Sequence, residues 1–320
     1  AYNVRMLHLL SALPKGPTMH RLRRTAVALL TTLTLAAGSP LMIGCTTNPA
    51  TGKQTLNFIS TEQELAIGEE AAPQFLEQAG GHIPDAAVQR YVADLGQRLA
   101  EVSERKDLPW EFHTLDSATI NAFALPGGKV FITRGLMQEM TNEAQLAGVL
   151  GHEIGHVTAI HINQRLSQQM LISGAVAAAG AALSDEEYAG LIIGGATVGS
   201  QLYMLSFSRD QEHQADMLGL RYMTRLGYDP RGQVQVMRIL KEASGGGGGS
   251  ELLQTHPLPQ SRIDQLAQTI DEQYAHTRNN PKFGLYPDRF TSNVLKPLEQ
   301  LPAPEHNPQN KPKPADEADR

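Results

Sequence analysis

The chain has 320 residues, a formal charge of −6, 41% hydrophobic residues and 19% charged residues. That length allows one large domain or two modest ones, each with a real core. The acidic balance argues against nucleic acid as the main partner, because phosphate binding needs a basic footprint, and the single cysteine, Cys45, excludes both a disulfide framework and a cysteine metal cage.

The N-terminal residues read as an address. From Met19 a basic stretch (His20, Arg21, Arg23, Arg24) precedes an apolar run, Thr25 to Ala37, too short for a comfortable transmembrane helix. Translation is expected to start at Met19, with residues 1–18 an upstream extension. Met42-Ile43-Gly44-Cys45 resembles the bacterial lipobox, with Met42 where leucine is usual. The plainer alternative is an ordinary secretory signal with an incidental cysteine. On the lipobox reading residues 1–44 are extension and signal peptide, and Cys45 carries the lipid. Thr46, in place of Asp, then resembles lipoproteins sorted to the outer membrane of a Gram-negative cell, facing the periplasm. The polar, turn-rich stretch 45–60 becomes a tether.

Residues 61–79 and 84–102 both read as amphipathic helices. In the second, Val88, Tyr91, Val92, Leu95 and Leu99 recur at helical spacing, with Asp85 a plausible start after Pro84. From Trp110 the texture changes to two or three strands around the turn Pro126-Gly127-Gly128. Helix returns over 142–168, with Asn142 as N-cap and Gln145 at the capping-box position. The Ala-, Gly- and Ile-rich segment 170–205 is interrupted by Ser184-Asp185-Glu186-Glu187-Tyr188. Its apolar halves are short for a membrane span, which favours a buried helical hairpin. Helix resumes over 206–226, up to Gly227. Residues 244–250 are a flexible glycine loop, another helix starts near Ser261, and the tail 301–320 is expected to be disordered.

The chemistry sits in GHEIGHVTAIH, residues 151–161. His152 and His156 are four apart and lie one above the other on one helix face, so two imidazoles can converge on one metal ion. Imidazole suits zinc, and a catalytic zinc site keeps one position for water. Glu153, one residue from His152, reaches the edge of the site without binding the metal and can take a proton from that water. His161 is the first candidate for a third ligand. However, the metzincin spacing would need Gly at 159 and His at 162, where this chain has Ala159 and Ile162. Five residues past His156, His161 rotates off the ligand face of a continuous helix. It is therefore expected to be a surface residue or one that backs a ligand. Downstream, Glu212 and Asp216 share a helix face. A glutamate from a second helix completes a His₂Glu set, and Asp216 can orient a ligand histidine through its ring N–H. From the residues alone, a solvated charged face is the alternative.

HEIGH followed by Ser208-Arg209-Asp210-Gln211-Glu212-His213-Gln214-Ala215-Asp216 is similar to the SRxxExxAD pattern of the HtpX-like and CAAX-prenyl-protease-like gluzincin metallopeptidases. Asn121-Ala122-Phe123-Ala124-Leu125-Pro126-Gly127-Gly128 resembles the family's NAFALPGG segment. Thr255-His256-Pro257 with Arg262 resembles its later THP...RI segment, and Asn48-Pro49-Ala50-Thr51-Gly52 resembles its LoiP-like lipoprotein members. The resemblance spans roughly residues 45–270 in matching order. It implies His152, His156 and Glu212 as ligands of one Zn²⁺ per chain, Glu153 as general base and acid, and Asp216 as orienter. It also implies that Asn121, Ala122, Phe123 and Ala124 bind an extended peptide along a strand edge. His256 is either a fourth ligand that holds the site latent, an oxyanion donor, or a plain loop histidine.

The fold class expected is α+β and mostly helical: a zincin-like metallopeptidase domain over 61–300 with a small sheet beside the HExxH helix. The function expected is zinc-dependent hydrolysis of peptide bonds in misfolded or misassembled cell-envelope proteins. The rival is a chaperone-like envelope lipoprotein, a binding module with marginal or latent peptidase activity.

Overall fold

The structure is a computed structural model that describes residues 44–183, 206–245, 255–257 and 260–304. Residues 1–43, where a signal peptide is expected, residues 184–205 of the expected helical hairpin, most of the glycine-rich stretch 244–250 and the tail from residue 305 lie outside the described residues. The elements in chain order are β1 (Cys45–Thr47), β2 (Gln54–Leu56), α1 (Thr61–Gln78), α2 (Ala86–Glu101), β3 (Glu111–Leu115), β4 (Ala122–Leu125), β5 (Lys129–Thr133), α3 (Arg134–Glu139), α4 (Glu143–Thr158), α5 (His161–Leu183), α6 (Arg209–Arg225), α7 (Arg231–Gly245) and α8 (Gln260–Gln273). Short helical turns follow over 287–299. This is an α+β fold, mostly helical with small sheets.

The helices begin where their caps dictate. Asp85 accepts hydrogen bonds from Ala87 N at 2.8 Å and Val88 N at 3.0 Å, which starts α2, and Val88, Val92, Leu95 and Leu99 all turn inward. Asn142 caps α4 by accepting from Gln145 N at 3.1 Å. Gln145 does not close the expected box; its oxygen takes Thr141 N–H at 2.7 Å, one residue further out. Ser208 caps α6 in a reciprocal box with Gln211, so that helix begins at Arg209 rather than at 206.

The main sheet has the order β3-β5-β4, with β5 parallel to β3 and antiparallel to β4. All five residues of β5 are buried, as a central strand covered on both faces requires. On the side of β4 away from β5 there is no further described strand, so β4 forms an edge, and it packs against α4. The turn from β4 to β5 needs Gly127, whose φ of +76° suits glycine. Glu64, buried on α1, holds that turn: it accepts from Gly127 N at 3.1 Å, from Asn163 Nδ2 at 2.9 Å and from both Nη atoms of Arg105. Arg105 also donates to Val157 O at 3.0 Å, so one buried ion pair ties the sheet turn to the end of α4 and the start of α5.

Three expectations are corrected. Residues 45–60 are not a tether, since β1 and β2 pair as an antiparallel hairpin. Buried Asn48 donates to Ala159 O at 2.9 Å, and Ser167 Oγ accepts from Phe58 N at 2.9 Å. The helix expected over 142–168 is two helices. Ile160 adopts φ +51°, disfavoured for a β-branched residue, and breaks the chain between α4 and α5. Finally, the 170–205 segment does not enter the core at its beginning: Met170, Leu171 and Ile172 are 58%, 50% and 65% exposed. Among the described residues no helix is long and apolar enough to cross a membrane.

A candidate metal centre

Every residue of α4 is buried, and its closest neighbour is α6. Glycines make that approach possible. A Cβ on Gly155 would lie 3.0 Å from Ala215 O, and one on Gly151 would lie 3.2 Å from Gly219 Cα. The helices therefore pack nearly backbone to backbone, which brings a glutamate of one within reach of the histidines of the other.

The structure brings His152 and His156 together with Glu212, and the loop histidine His256 joins them. Their donor atoms all lie within 4.8 Å of one another, and all four residues are buried. His152 Nε2 is 3.0 Å from His156 Nε2. Glu212 Oε1 is 3.4 Å from His156 Nε2 and 2.9 Å from His256 Nδ1, while Glu212 Oε2 is 3.6 Å from His152 Nε2. His256 Nδ1 lies 3.3 Å from His152 Nε2, and its other nitrogen, Nε2, points toward Glu153 Oε1 at 3.8 Å. Glu153 is thus beside the cluster and outside it.

This donor set fits a zinc ion. Asp216 Oδ1 sits 2.9 Å from His152 Nδ1. A carboxylate only accepts, so Nδ1 carries the hydrogen and Nε2 of the neutral ring is a bare lone pair aimed into the cluster. Glu212 Oε2 is buried without a hydrogen-bond partner, although the Arg262 guanidinium lies against it as an ion pair. Converging lone pairs and a buried, under-satisfied carboxylate are what imidazole–carboxylate zinc sites present.

Electrostatics support ligand-ready protonation states for His156 and Glu212. Burial pushes His156 well below the usual imidazole value, which keeps it neutral and able to coordinate. Burial alone would raise Glu212, but the charge on His256, the contacts of His156 and His256 with the carboxylate, and the Arg262 charge outweigh it and hold the carboxyl well below its ordinary range. Asp216 is likewise held low against burial by Arg262 and His152. Burial lowers His256, yet Glu212 and Glu153 outweigh this and raise it. Burial brings His161 down to about 4.

Arg262 and its neighbours were given no role by local spacing. The Arg262 Nε and Nη2 groups donate to the two Asp216 oxygens at 2.6 and 2.7 Å, and Nη1 donates to Pro257 O at 3.2 Å. Gln233 adds a bond to Asp216 Oδ1 at 3.2 Å. Phe207 N–H donates to Thr255 O at 3.0 Å, and the Phe207 ring lies 3.9 Å from that of His156, centroid to centroid. The His256 loop is therefore fastened on both sides of the histidine. Arg262 is 46 residues from Asp216 in sequence, and only the docking of α8 against α7 and α6 joins them.

The remaining candidates are placed as follows. His161 is not on the surface; it is 1% exposed and lies against His156, because the break at Ile160 turns it back. Ala122, Phe123 and Ala124 belong to the edge strand β4, while Asn121 precedes it with its carbonyl bonded to Thr133 N at 3.0 Å. Phe123 stacks on Phe131 with ring centroids 4.8 Å apart. Cys45 opens β1 and is exposed.

Two histidines one turn apart and a glutamate from a second helix define an HExxH zincin of the gluzincin type. The chain belongs to peptidase family M48, whose sequence profile matches residues 86–270. It is similar to the beta-barrel assembly-enhancing protease of Escherichia coli (strain K12), with 30% identity over 254 residues, 76% of this chain and 51% of that one. It is also similar to the mitochondrial metalloendopeptidase OMA1 of Schizosaccharomyces pombe (strain 972 / ATCC 24843), 30% identical over 229 residues, covering 70% of this chain and 66% of the relative. The mitochondrial metalloendopeptidase OMA1 of Danio rerio is 31% identical over 240 residues, 70% of this chain and 50% of its own. The chain spans about half the length of two of these curated relatives.

Proposed function

We propose that this chain is a zinc metalloendopeptidase in which His152, His156 and Glu212 hold one zinc ion, with Asp216 orienting His152. A zinc ion held there supplies an activated water and polarises the scissile carbonyl. Glu153 takes a proton from the attacking water and returns it to the leaving amine. The substrate lies as an added strand along the edge of β4, where main-chain hydrogen bonds supply affinity. The observation that carries this reading is the convergence of four buried donor atoms with Glu153 beside them and outside the set.

The same geometry favours a latent form. With His256 Nδ1 in the cluster and Nε2 toward Glu153, one side chain takes the position needed for water and also faces the general base. Four protein ligands make a closed site. The loop must therefore swing out before cleavage, breaking its bonds from Phe207 N–H and Arg262.

The substrates proposed are misfolded or misassembled envelope proteins. This draws support from the name of the E. coli relative and from the lipobox-like sequence at Cys45. The location proposed is the outer membrane, lipid-anchored at Cys45 and facing the periplasm. With β1 starting at Cys45, a lipid there would hold the domain close to the bilayer with almost no slack. The second reading, a binding module with marginal peptidase activity, is favoured only by the His256 arrangement.

Glu153→Gln in the full chain separates the two readings. It should bind zinc as the parent does and lose hydrolysis of unfolded casein. A variant that still degrades casein at the parental rate would remove Glu153 from the chemistry. Loss of cleavage with envelope function in cells retained would favour the binding role.

A further inference from the structure

We propose that His161 and Gln214 form a positioning relay behind the ligand His156, fixing that imidazole in the tautomer and ring orientation that turn Nε2 toward the metal. This rests on the reading of His152, His156 and Glu212 as ligands. It assigns a task to two residues which that reading leaves idle.

The contacts run in series. His161 Nδ1 lies 3.1 Å from His156 Nδ1, and His161 Nε2 lies 2.7 Å from Gln214 Oε1. Two imidazole nitrogens at that separation need one hydrogen between them. A hydrogen on His156 Nδ1 makes His161 Nδ1 the acceptor, so the neutral His161 carries its own hydrogen on Nε2. That hydrogen meets the Gln214 carbonyl oxygen, and every donor faces an acceptor. The opposite assignment sets the bare Nε2 of His161 against Gln214 Oε1 and directs an N–H of His156 into the metal cluster. A doubly protonated His161 fares no better, because the ring is 1% exposed and neither His156 nor Gln214 supplies a counter-charge. One arrangement satisfies the series, and it leaves His156 Nε2 as a lone pair.

The two ligand histidines are thus held by different partners. His152 donates to a carboxylate, Asp216, which is itself held by Arg262 and Gln233. His156 donates to a neutral imidazole backed by an amide. The helix break at Ile160 makes the second arrangement possible, because a continuous helix would carry His161 around to another face. His161 and Gln214 also border a polar cavity of about 300 Å³ between the β1–β2 hairpin, α5 and α6. Shortening His161 would therefore enlarge an existing cleft rather than hollow out the apolar core.

The test uses the zinc-loaded full chain labelled with ¹⁵N-histidine. Long-range ¹H–¹⁵N spectra should show His156 with a metal-bound Nε2 and a protonated Nδ1, and His161 with a protonated Nε2 and a bare Nδ1. A hydrogen on His161 Nδ1 overturns the relay. In parallel, zinc affinity is measured by competition with a chromogenic chelator. His161→Ala and Gln214→Leu should each weaken it about 10- to 100-fold, the range for losing a group that orients a ligand. His161→Asn, which restores an acceptor, should recover most of the loss. Parental affinity in His161→Ala, with circular dichroism confirming a folded protein, overturns the relay alone. Parental affinity in His156→Ala would instead overturn the ligand set on which it rests. If neither relay variant folds, the spectrum of the parent protein still decides.

Discussion

Arg262→Met should destabilise the metal-free protein much more than the zinc-loaded one. The guanidinium makes two hydrogen bonds to Asp216 and lies against Glu212, and both carboxylate side chains are 1% exposed. Removing one partner of a buried ion pair costs about 3–5 kcal/mol, because the remaining charge is stranded. Here two carboxylates lose the same partner, but His152, His156, His256 and Gln233 still touch them, so the lower part of that range applies. At about 2–4 °C per kcal/mol for a domain of this size, the melting temperature should fall by roughly 6–16 °C in the presence of chelator. A zinc ion beside Glu212 replaces much of the lost positive charge, so saturating zinc should raise the variant's melting temperature by more than it raises the parent's. Differential scanning fluorimetry of the full chain with chelator, then with zinc, reads both quantities. If the metal-free variant melts within about 2 °C of the parent, Arg262 is not neutralising a buried acidic pair.

Other substitutions probe the remaining parts. Glu153→Gln should retain zinc and lose roughly 10²- to 10⁴-fold in casein hydrolysis, the usual worth of a positioned general base, in a fluorescent casein assay. His256→Ala should raise cleavage if the loop histidine holds the site closed; a drop of tenfold or more would make it an oxyanion donor instead. Asp216→Asn should weaken zinc binding about 10- to 100-fold by chelator competition, because His152 loses its carboxylate partner; unchanged affinity would sink the orienting role. Gly155→Val should cost about 1–3 kcal/mol in denaturant unfolding, since its Cβ falls 3.0 Å from Ala215 O; an unchanged midpoint would mean that α4 and α6 can part without cost.

Much of the site was legible because its parts are local. The four-residue spacings of His152 with His156 and of Glu212 with Asp216 follow from helical periodicity, and α4 and α6 supply those helices. Caps such as Asp85 and Asn142 act within three residues, so the helix starts they set were readable too. The differences share one physical cause. His161 backs a ligand, one of the two roles expected of it, but it does so through the break at Ile160 rather than from a continuous helix, and that break is held in part by a contact from far away in sequence: Asn48 donates to Ala159 O. The 45–60 stretch looked like a tether because it is polar and turn-rich. Yet Asn48 is buried, and its amide reaches across 111 residues to the end of α4.

The sequence by itself determined the helix faces that carry His152, His156 and Glu212, the position of Glu153 beside them and the α+β class, because each depends on periodicity and residue chemistry within a turn or two. Only the tertiary structure decided which distant groups complete the centre. The glycine contact between α4 and α6 draws Glu212 in, the docking of α8 delivers Arg262, and two fastenings carry His256 to within 3.3 Å of His152 Nε2. A loop histidine's approach to a metal site depends on what anchors the loop, and those anchors lie on segments that meet only when the core is packed.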